Sequence, residues 1–251
     1  MPERIFTGKN RIDLPEFPST NRYASELLPS SPPEGTLITV VNQTEGKGQK
    51  GNTWHTKPGQ NLTFSVIFYP DFLSPEKVFM LSKVASLAVR DTIASFLPME
   101  DVWVKWPNDI LLNKKKVAGI LIENQLEGMT IRSCVMGIGL NVNQRAFPPE
   151  IENKAVSMRS FSDKDFDLEK VLQSLLSHLE ANYLSLRQGS ADNINRAYFR
   201  HLYGYQEPVK MIFDNRTITT SVAGVSPAGK LALQFGDKLR YFDFKEIEFV
   251  L

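Results

Sequence analysis

The stretch from Glu45 to Trp54, Glu-Gly-Lys-Gly-Gln-Lys-Gly-Asn-Thr-Trp, combines residue types that suit the binding of an anion. Its glycines and lysines are Gly46, Gly48, Gly51, Lys47 and Lys50. The glycines leave the backbone free to adopt positive φ and to approach a ligand closely, and the lysines add positive charge. Trp54 offers a flat apolar face on which a purine could stack. The same composition is also typical of a solvated surface loop, so the loop alone leaves both interpretations open.

A second polar cluster, Lys105-Trp106-Pro107-Asn108-Asp109, lies between two apolar runs. A lysine flanked by aromatic residues is partly desolvated, and a desolvated ammonium group needs an anionic partner. That partner is either a structural one, Asp109 or Asp101, or a bound ligand. The sequence leaves the two alternatives equal.

Two further stretches present polar groups or bare backbone. Ser19-Thr20-Asn21 precedes a helical pattern and predicts an N-cap, although three such side chains in a row also suit a ligand. Gly137-Ile138-Gly139-Leu140-Asn141-Val142-Asn143 ends a strand-like run without the third glycine of a dinucleotide site. We expect a strand end beside a ligand there.

The elements that position these motifs can be predicted from periodicity. Residues 4–14 predict an edge strand or extended arm, and residues 36–42, 61–69, 117–123 and 130–143 predict strands. Apolar spacing predicts a core helix after Ser74-Pro75 that ends before Pro98, and a long helix capped by Asp167 that stops at Gly189. One more helix is expected over 191–202.

After Gly204 the pattern changes to five short β-like runs separated by turn residues. These runs are Val209–Phe213, Thr217–Val225, Leu231–Phe235, Leu239–Phe244 and Ile247–Leu251. Their spacing predicts a small β-barrel over 206–251 that docks on a main domain over 1–205.

Composition limits the partners. The 29 Lys and Arg residues balance 28 Asp and Glu residues, so we expect no nucleic-acid or anionic-membrane partner. Cys134 is the only cysteine, which excludes an intramolecular disulfide and predicts a packed thiol. Without an apolar leader or a membrane-length apolar run, the expected location is cytoplasmic.

Several reaction types lack their residues. The three histidines, His55, His178 and His201, show no metal-ligand spacing, and no nucleophile elbow or Walker loop is present. The glycine and lysine loop, the lysine of the second cluster and the polar strand ends suit adenylation, in which a carboxylate attacks the α-phosphate of ATP. Backbone N–H groups, lysines and Mg²⁺ bring the two anions together without a nucleophilic residue.

The motifs occur in one order that resembles biotin protein ligase, from about Ser19 to the C-terminus. The most specific part is Lys-Trp-Pro-Asn-Asp followed by the strand Lys116-Val117-Ala118-Gly119-Ile120-Leu121-Ile122-Glu123. The resemblance implies an α+β fold: a class II tRNA synthetase-like catalytic domain, with a mixed β-sheet and packed helices, and a C-terminal SH3-like β-barrel. It also implies two half-reactions. Biotin and MgATP give biotinyl-5′-AMP, and a lysine of a biotin carboxyl carrier protein domain then attacks this mixed anhydride and releases AMP.

The resemblance also implies residue roles. Lys105 would be the catalytic residue, between the biotin carboxylate and the α-phosphate. The expected biotin-binding residues are Ser19, Thr20, Asn21, Gln43, Gly46, Lys47, Gly48, Gln49, Lys105 and Gly119. The expected ATP- and adenylate-binding residues are Lys47, Gly48, Gln49, Lys50, Gly51, Trp54, Asn108, Lys116 and Asn141. Mg²⁺ would be held mainly by the phosphates, and the enzyme would be a monomer or a homodimer.

Two departures from the family pattern have consequences. The family loop is commonly arginine-rich, yet Lys47, Gln49, Lys50 and Asn52 occupy those places, which predicts a weaker hold on the adenylate. Some relatives carry an N-terminal helix-turn-helix. Only 18 residues precede Ser19, so DNA binding is not expected.

Two alternatives remain at this point. A lipoate or octanoate transferase shares the catalytic fold, although the Lys105–Asp109 motif and the C-terminal β runs argue against it. A non-catalytic ligand-binding or regulatory protein would use the loop for binding without turnover.

Overall fold

The computed structural model describes residues 4–251, apart from the side chain of Lys50. Its larger sheet has seven strands in the order β1-β2-β3-β7-β6-β5-β4. They are β1 (Arg11–Phe17), β2 (Leu37–Gln43), β3 (Leu62–Phe68), β4 (Val102–Lys105), β5 (Asp109–Leu112), β6 (Lys115–Glu127) and β7 (Thr130–Leu140). The edge strand β1 runs parallel to β2, and every other neighbouring pair is antiparallel. The predicted mixed sheet is confirmed.

Four α-helices accompany this sheet: α1 (Thr20–Leu27), α2 (Phe79–Phe96), α3 (Leu168–Arg187) and α4 (Ala191–Arg200). Successive strand residues point to opposite faces, so the sheet carries two apolar layers. Ile38, Ile67 and Val135 pack against α1 on one face. Their neighbours on the other face join the main core with α2 and α3. The predicted cap of α3 is confirmed, because Asp167 Oδ1 accepts the Lys170 N–H at 3.2 Å.

A second, antiparallel sheet follows α4, with the strand order β11-β10-β9-β8-β12. Its strands are β8 (Pro208–Phe213), β9 (Arg216–Val225), β10 (Leu231–Phe235), β11 (Lys238–Phe242) and β12 (Glu248–Phe249). All five predicted runs form strands. The predicted C-terminal β unit is confirmed, but its described strands do not close into a barrel, because the two-residue β12 pairs with β8 and no pairing joins it to β11.

The two sheets meet at the turn between β4 and β5. Trp106 Nε1 donates to the carbonyl of Gly229 at 2.8 Å, and its ring lies edge-on to Phe244 with centroids 6.4 Å apart. This contact places the C-terminal sheet beside the Lys105–Asp109 motif. Among the described helices, none combines the length and apolarity that crossing a membrane requires.

Candidate active site

A cleft of about 760 Å³ opens between the larger sheet, the Gly46–Trp54 loop, the β4–β5 turn and the C-terminal sheet. Most of the predicted site residues line it. They are Ser19, Thr20, Asn21, Gln43, Lys47, Gly48, Gln49, Trp54, Lys105, Asn108, Lys116 and Gly119. The fold therefore brings together motifs that lie far apart in the sequence, from Ser19 to Gly139.

One end of the cleft is a buried polar network at the start of α1. The Thr20 N–H donates to Gln43 Oε1 at 2.9 Å, and Asn21 Nδ2 donates to Glu123 Oε2 at 2.8 Å. The Ser65 hydroxyl donates to Asn21 Oδ1 at 2.6 Å. These bonds fix the amide orientation of Asn21 and of Gln43. A fixed array of donors and acceptors can select a polar ligand by its hydrogen-bonding pattern.

Ser19 occupies the predicted N-cap position, but its side chain accepts no capping hydrogen bond from the described helix. The side chain is 4% exposed and lies on the cleft wall. The network also contains Ser65 and Glu123, to which the sequence analysis gave no role. Alternation along β3 would place Ser65 opposite Phe64, beside α1, which is the one sequence signal for its part in the network.

The Gly46–Trp54 loop forms a tight hairpin. The Trp54 N–H donates to the Gly46 carbonyl at 2.9 Å, and the Gly48 N–H donates to the Asn52 carbonyl at 2.6 Å. A Cβ at Gly46 would lie 2.3 Å from the Trp54 carbonyl oxygen, so this position requires glycine. Gly46 and Gly51 are absent from the described cleft lining. The predicted role of the Lys50 side chain lies outside the described residues.

Trp54 lies flat over the floor of the cleft. A Cβ at Gly139 would be 2.3 Å from Trp54 Cε2, and Gly139 pairs with Gly119 across β6 and β7. The Lys116 ammonium is 5.6 Å from the centroid of the indole ring. Trp54 Nε1 is buried without a hydrogen-bond partner among the described atoms. A buried N–H donor without a partner is unusual in proteins, and a ligand bound beside Trp54 could accept this hydrogen bond.

The centre of the cleft holds one carboxylate between two ammonium groups. Lys105 Nζ lies 3.0 Å from Asp109 Oδ2, and Lys116 Nζ lies 2.6 Å from Asp109 Oδ1. Burial of Asp109 raises the pKa of its carboxyl, but the charges and hydrogen bonds of Lys116 and Lys105 outweigh burial and lower that pKa below its ordinary value. Of the two structural partners considered for Lys105, the structure shows Asp109. Both lysines also face the cleft, so the ion pairs and a ligand role are compatible.

The two predicted asparagines differ in position. Asn108 lines the cleft, and its Nδ2 donates to the Ile120 carbonyl at 2.8 Å, which braces the β4–β5 turn against β6. Asn141 is 3% exposed, donates to the Val156 carbonyl at 3.1 Å and is absent from the described cleft lining. Its Oδ1 is buried and has no partner among the described atoms.

The C-terminal sheet supplies a wall of the cleft that sequence reasoning missed. This wall consists of Ile212, Asp214, Asn215, Phe244, Lys245, Glu246, Ile247, Glu248 and Phe249. No local pattern marks these residues, because they reach the cleft only through the docking of one sheet on the other.

The described part of the chain offers few groups for metal binding or for thiol chemistry. No cluster of three or more His, Cys, Asp or Glu side chains with metal-binding geometry occurs there. Cys134 is fully buried, and burial raises the pKa of its thiol. The prediction of a packed thiol is therefore confirmed.

The family model described as the Biotin/lipoate A/B protein ligase family matches residues 14–141, just over half of the chain. The chain belongs to this family. It is 32% identical over 243 residues to the bifunctional ligase/repressor BirA of Bacillus subtilis, covering 96% of this chain and 74% of that protein.

Two further proteins are similar to this chain. The biotin–[acetyl-CoA-carboxylase] ligase of Mycobacterium tuberculosis is 30% identical over 159 residues, covering 62% of this chain and 57% of that one. Among solved structures, biotin protein ligase from Aquifex aeolicus in complex with biotin and ATP superposes with a TM-score of 0.79 at 27% identity. That match covers 96% of this chain and 99% of the other. The predicted family and fold are confirmed.

Proposed function

We propose that this member of the biotin/lipoate family is a biotin protein ligase. It activates biotin with ATP to biotinyl-5′-AMP and then transfers the biotinyl group to a lysine of a biotin carboxyl carrier protein domain. The observation that carries the proposal is the pair of ammonium groups of Lys105 and Lys116, held by Asp109 in a cleft roofed by a glycine and lysine loop. The relatives named as biotin ligases, and the solved structure with biotin and ATP, support the same activity.

The first half-reaction must join two anions. A carboxylate and a phosphate about 4 Å apart repel each other by about 4 kcal/mol at an effective dielectric constant of about 20. Lys105 and Lys116 offset this repulsion. Because Asp109 fixes both ammonium groups before substrate arrives, little reorganisation is needed when charge develops on the phosphate.

The resemblance to biotin protein ligase suggests the roles of individual residues, and most of these residues line the cleft. The network of Ser19, Thr20, Asn21 and Gln43 binds the polar ring of biotin. Lys105 bridges the biotin carboxylate and the α-phosphate, and Trp54 stacks on adenine. The remaining biotin contacts come from Gly46, Lys47, Gly48, Gln49 and Gly119. The remaining nucleotide contacts come from Lys47, Gly48, Gln49, Lys50, Gly51, Asn108, Lys116 and Asn141.

Magnesium is part of this proposal. Asp109 is already held by two lysines, and the described residues contain no cluster of three or more metal-ligating side chains. Mg²⁺ would be held mainly by the phosphate oxygens of ATP and would neutralise part of their charge.

We also propose that residues 1–205 form the catalytic domain and residues 206–251 the SH3-like domain. The wall that the C-terminal sheet contributes to the cleft, together with the contact between Trp106 and Gly229, makes the two domains act as one site. The enzyme is a monomer or a homodimer that works in the cytoplasm.

An isotope exchange assay tests the activity directly. The full chain should exchange labelled pyrophosphate into ATP when biotin is present and should not do so when lipoate replaces it. Labelled biotin should then be transferred to a biotin carboxyl carrier domain by the wild-type chain, and far more slowly by Lys105→Ala. Exchange that depends on lipoate alone would reject biotin as the substrate. Binding of biotin and ATP without exchange would reject the proposal that the protein is an enzyme.

A further inference from the structure

A second, smaller chamber of about 110 Å³ lies between α2 and β6. Gln49, Pro107, Asn108 and Ile120 line both this chamber and the main cleft, so the two spaces adjoin. None of the residues that line only the chamber has a role assigned above. Its other walls come from α2, the residue before α2, and the middle of β6.

Three residues of the chamber wall carry a buried oxygen that has no hydrogen-bond partner in the described part of the chain. They are Gln49 Oε1, Ser86 Oγ and Asn124 Oδ1. Ser86 is fully buried, with 0% of its surface exposed. Buried polar atoms are nearly always paired, so three unpaired oxygens around one space indicate a missing partner. Because two of them are amide carbonyls that only accept, the partner must be a hydrogen-bond donor.

We propose that this chamber receives the side-chain amine of the acceptor lysine before the second half-reaction. A lysine ammonium group has three N–H donors and no acceptor, which matches the three oxygens in number and in kind. The inference rests on the proposed biotin ligase function, since that function is what requires an amine next to the adenylate. In the absence of the lysine, the chamber has room for about three water molecules.

The lack of charged side chains around the chamber affects the protonation of a bound lysine. None of the described residues that line it is acidic or basic. A carboxylate would hold the lysine in its charged form. In an uncharged chamber, desolvation lowers the pKa of the amine and opposes the effect of the three hydrogen bonds, so a proton is released more readily than beside a carboxylate. The chamber therefore binds the ammonium group without trapping it.

The amine then attacks the adenylate in the second half-reaction. The bound ammonium group releases one proton to water, and the nitrogen lone pair forms a bond to the acyl carbon of biotinyl-5′-AMP. The bond between that carbon and the phosphate oxygen breaks, and its electron pair leaves with AMP. The nitrogen then loses a second proton to water, which gives the amide. No redox partner is required.

A small amine tests the chamber without the complication of carrier docking. The full chain is supplied with synthetic biotinyl-5′-AMP and increasing n-butylamine, and biotinyl butylamide is measured. The wild type should saturate with butylamine. Ser86→Ala and Asn124→Leu, on two different elements, should each raise the KM for butylamine about tenfold, because each removes one hydrogen bond to a charged group. Biotin-dependent pyrophosphate exchange and hydrolysis of the bound adenylate should be unchanged in both variants.

Ser174→Ala is the matched control. Ser174 is 2% exposed, lies on α3, and its Oγ is also buried without a described partner, yet it lines neither the cleft nor the chamber. It should keep the wild-type KM for butylamine. Wild-type KM values in both chamber variants, or a wild-type rate that rises linearly without saturation, would overturn the chamber while leaving the ligase activity intact. A wild type that neither exchanges pyrophosphate nor forms the amide would instead reject the proposed function.

Discussion

The indole of Trp54 lies directly on the backbone of Gly139, so closely that a methyl group at Gly139 would overlap the ring, 2.3 Å from Cε2. Gly119, the partner of Gly139 across the strand pair, is less tight, since its Cβ would lie 3.2 Å from Trp54 Cζ3. The two glycines form a floor on which the indole packs, and Gly119 also leaves room for the side chain of Lys116.

Replacing Gly139 with alanine is expected to displace the indole and weaken nucleotide binding. Since stacking of a base on an aromatic side chain contributes about 1–3 kcal/mol, the KM for ATP should rise about tenfold or more in the exchange assay. The KM for biotin should change little, because the buried polar network lies elsewhere in the cleft. Gly119→Ala should raise the KM for ATP less, because its Cβ would lie 3.2 Å from the indole, and it cannot serve as a biotin control because Gly119 is a proposed biotin contact. Equal effects on ATP and biotin would contradict the assignment of Trp54 to adenine.

Lys105→Ala is expected to slow biotin-dependent pyrophosphate exchange about 10²- to 10³-fold, as loss of one preorganised electrostatic stabiliser does elsewhere. The variant should still fold, because Asp109 keeps its contact with Lys116. Lys115→Ala is the matched control on the neighbouring β5–β6 hairpin, since Lys115 is exposed and does not line the cleft. Exchange within about twofold of wild type in Lys105→Ala would remove Lys105 from the mechanism.

Asp109→Asn is expected to destabilise the fold at pH 7 by about 2 kcal/mol, because it leaves two neighbouring ammonium groups without their carboxylate. The pKa of Asp109 is lowered from 3.8 in the folded state, so its contribution is fully present above that value and is lost as the pH falls below it. Urea unfolding should therefore show a gap between wild type and variant that is constant from pH 7 to pH 5 and shrinks on further acidification. A gap independent of pH would show that the ion pairs are not its cause.

Gln49→Arg is expected to slow the release of biotinyl-5′-AMP, by about tenfold, because a guanidinium group binds phosphate through two parallel hydrogen bonds. Gln49 lines the cleft and offers only an amide. Gln49→Lys restores charge without the bidentate geometry and should have a smaller effect. Release can be followed by stopped-flow chase of the bound adenylate. Equal release from wild type and Gln49→Arg would mean that this position does not control retention.

Much of the fold follows from local sequence. The period-2 pattern of Leu62, Phe64, Val66 and Phe68 predicts a strand, and Asp167 predicts the cap of α3. Both signals depend on neighbours in the chain, and the structure confirms the strand and the cap. The partner of Lys105 was also among the alternatives, because Asp109 lies four residues away on the same hairpin. Interactions of this kind are short-range and leave a recognisable spacing.

The features that sequence reasoning missed depend on distant packing. Glu248 reaches the cleft wall because one sheet docks on the other, and Ser65 joins the polar network because α1 crosses β3. The failure of the C-terminal sheet to close could not be predicted either, since the length of β12 is set by strand pairing and not by an apolar pattern. Lys83 is a further case: the apolar spacing of α2 marks a core helix but says nothing about a lysine within it.

Lys83 is 3% exposed between α2 and α4. Its ammonium group donates to Asn195 Oδ1 at 2.7 Å and lies 4.8 Å from the ring centroid of Phe199 and 5.2 Å from that of Tyr198. Burial lowers the pKa of Lys83 from 10.5 to about 8. The unfolded chain therefore binds the proton more tightly than the folded protein, and stability contributed by this residue should rise as the pH increases from about 8 to 10.5.

The test compares wild type with Lys83→Met, which keeps the length of the side chain and removes the titrating group. Because one pKa unit corresponds to about 1.4 kcal/mol, wild type should gain about 2 to 3 kcal/mol relative to the variant between pH 7 and pH 10.5. Urea unfolding at several pH values in this range measures the difference. Lys115→Met, at an exposed position, should follow wild type in parallel. If the Lys83→Met curve also ran parallel to wild type, Lys83 would be titrating as a solvated lysine, and the aromatic site between α2 and α4 would not be desolvating it.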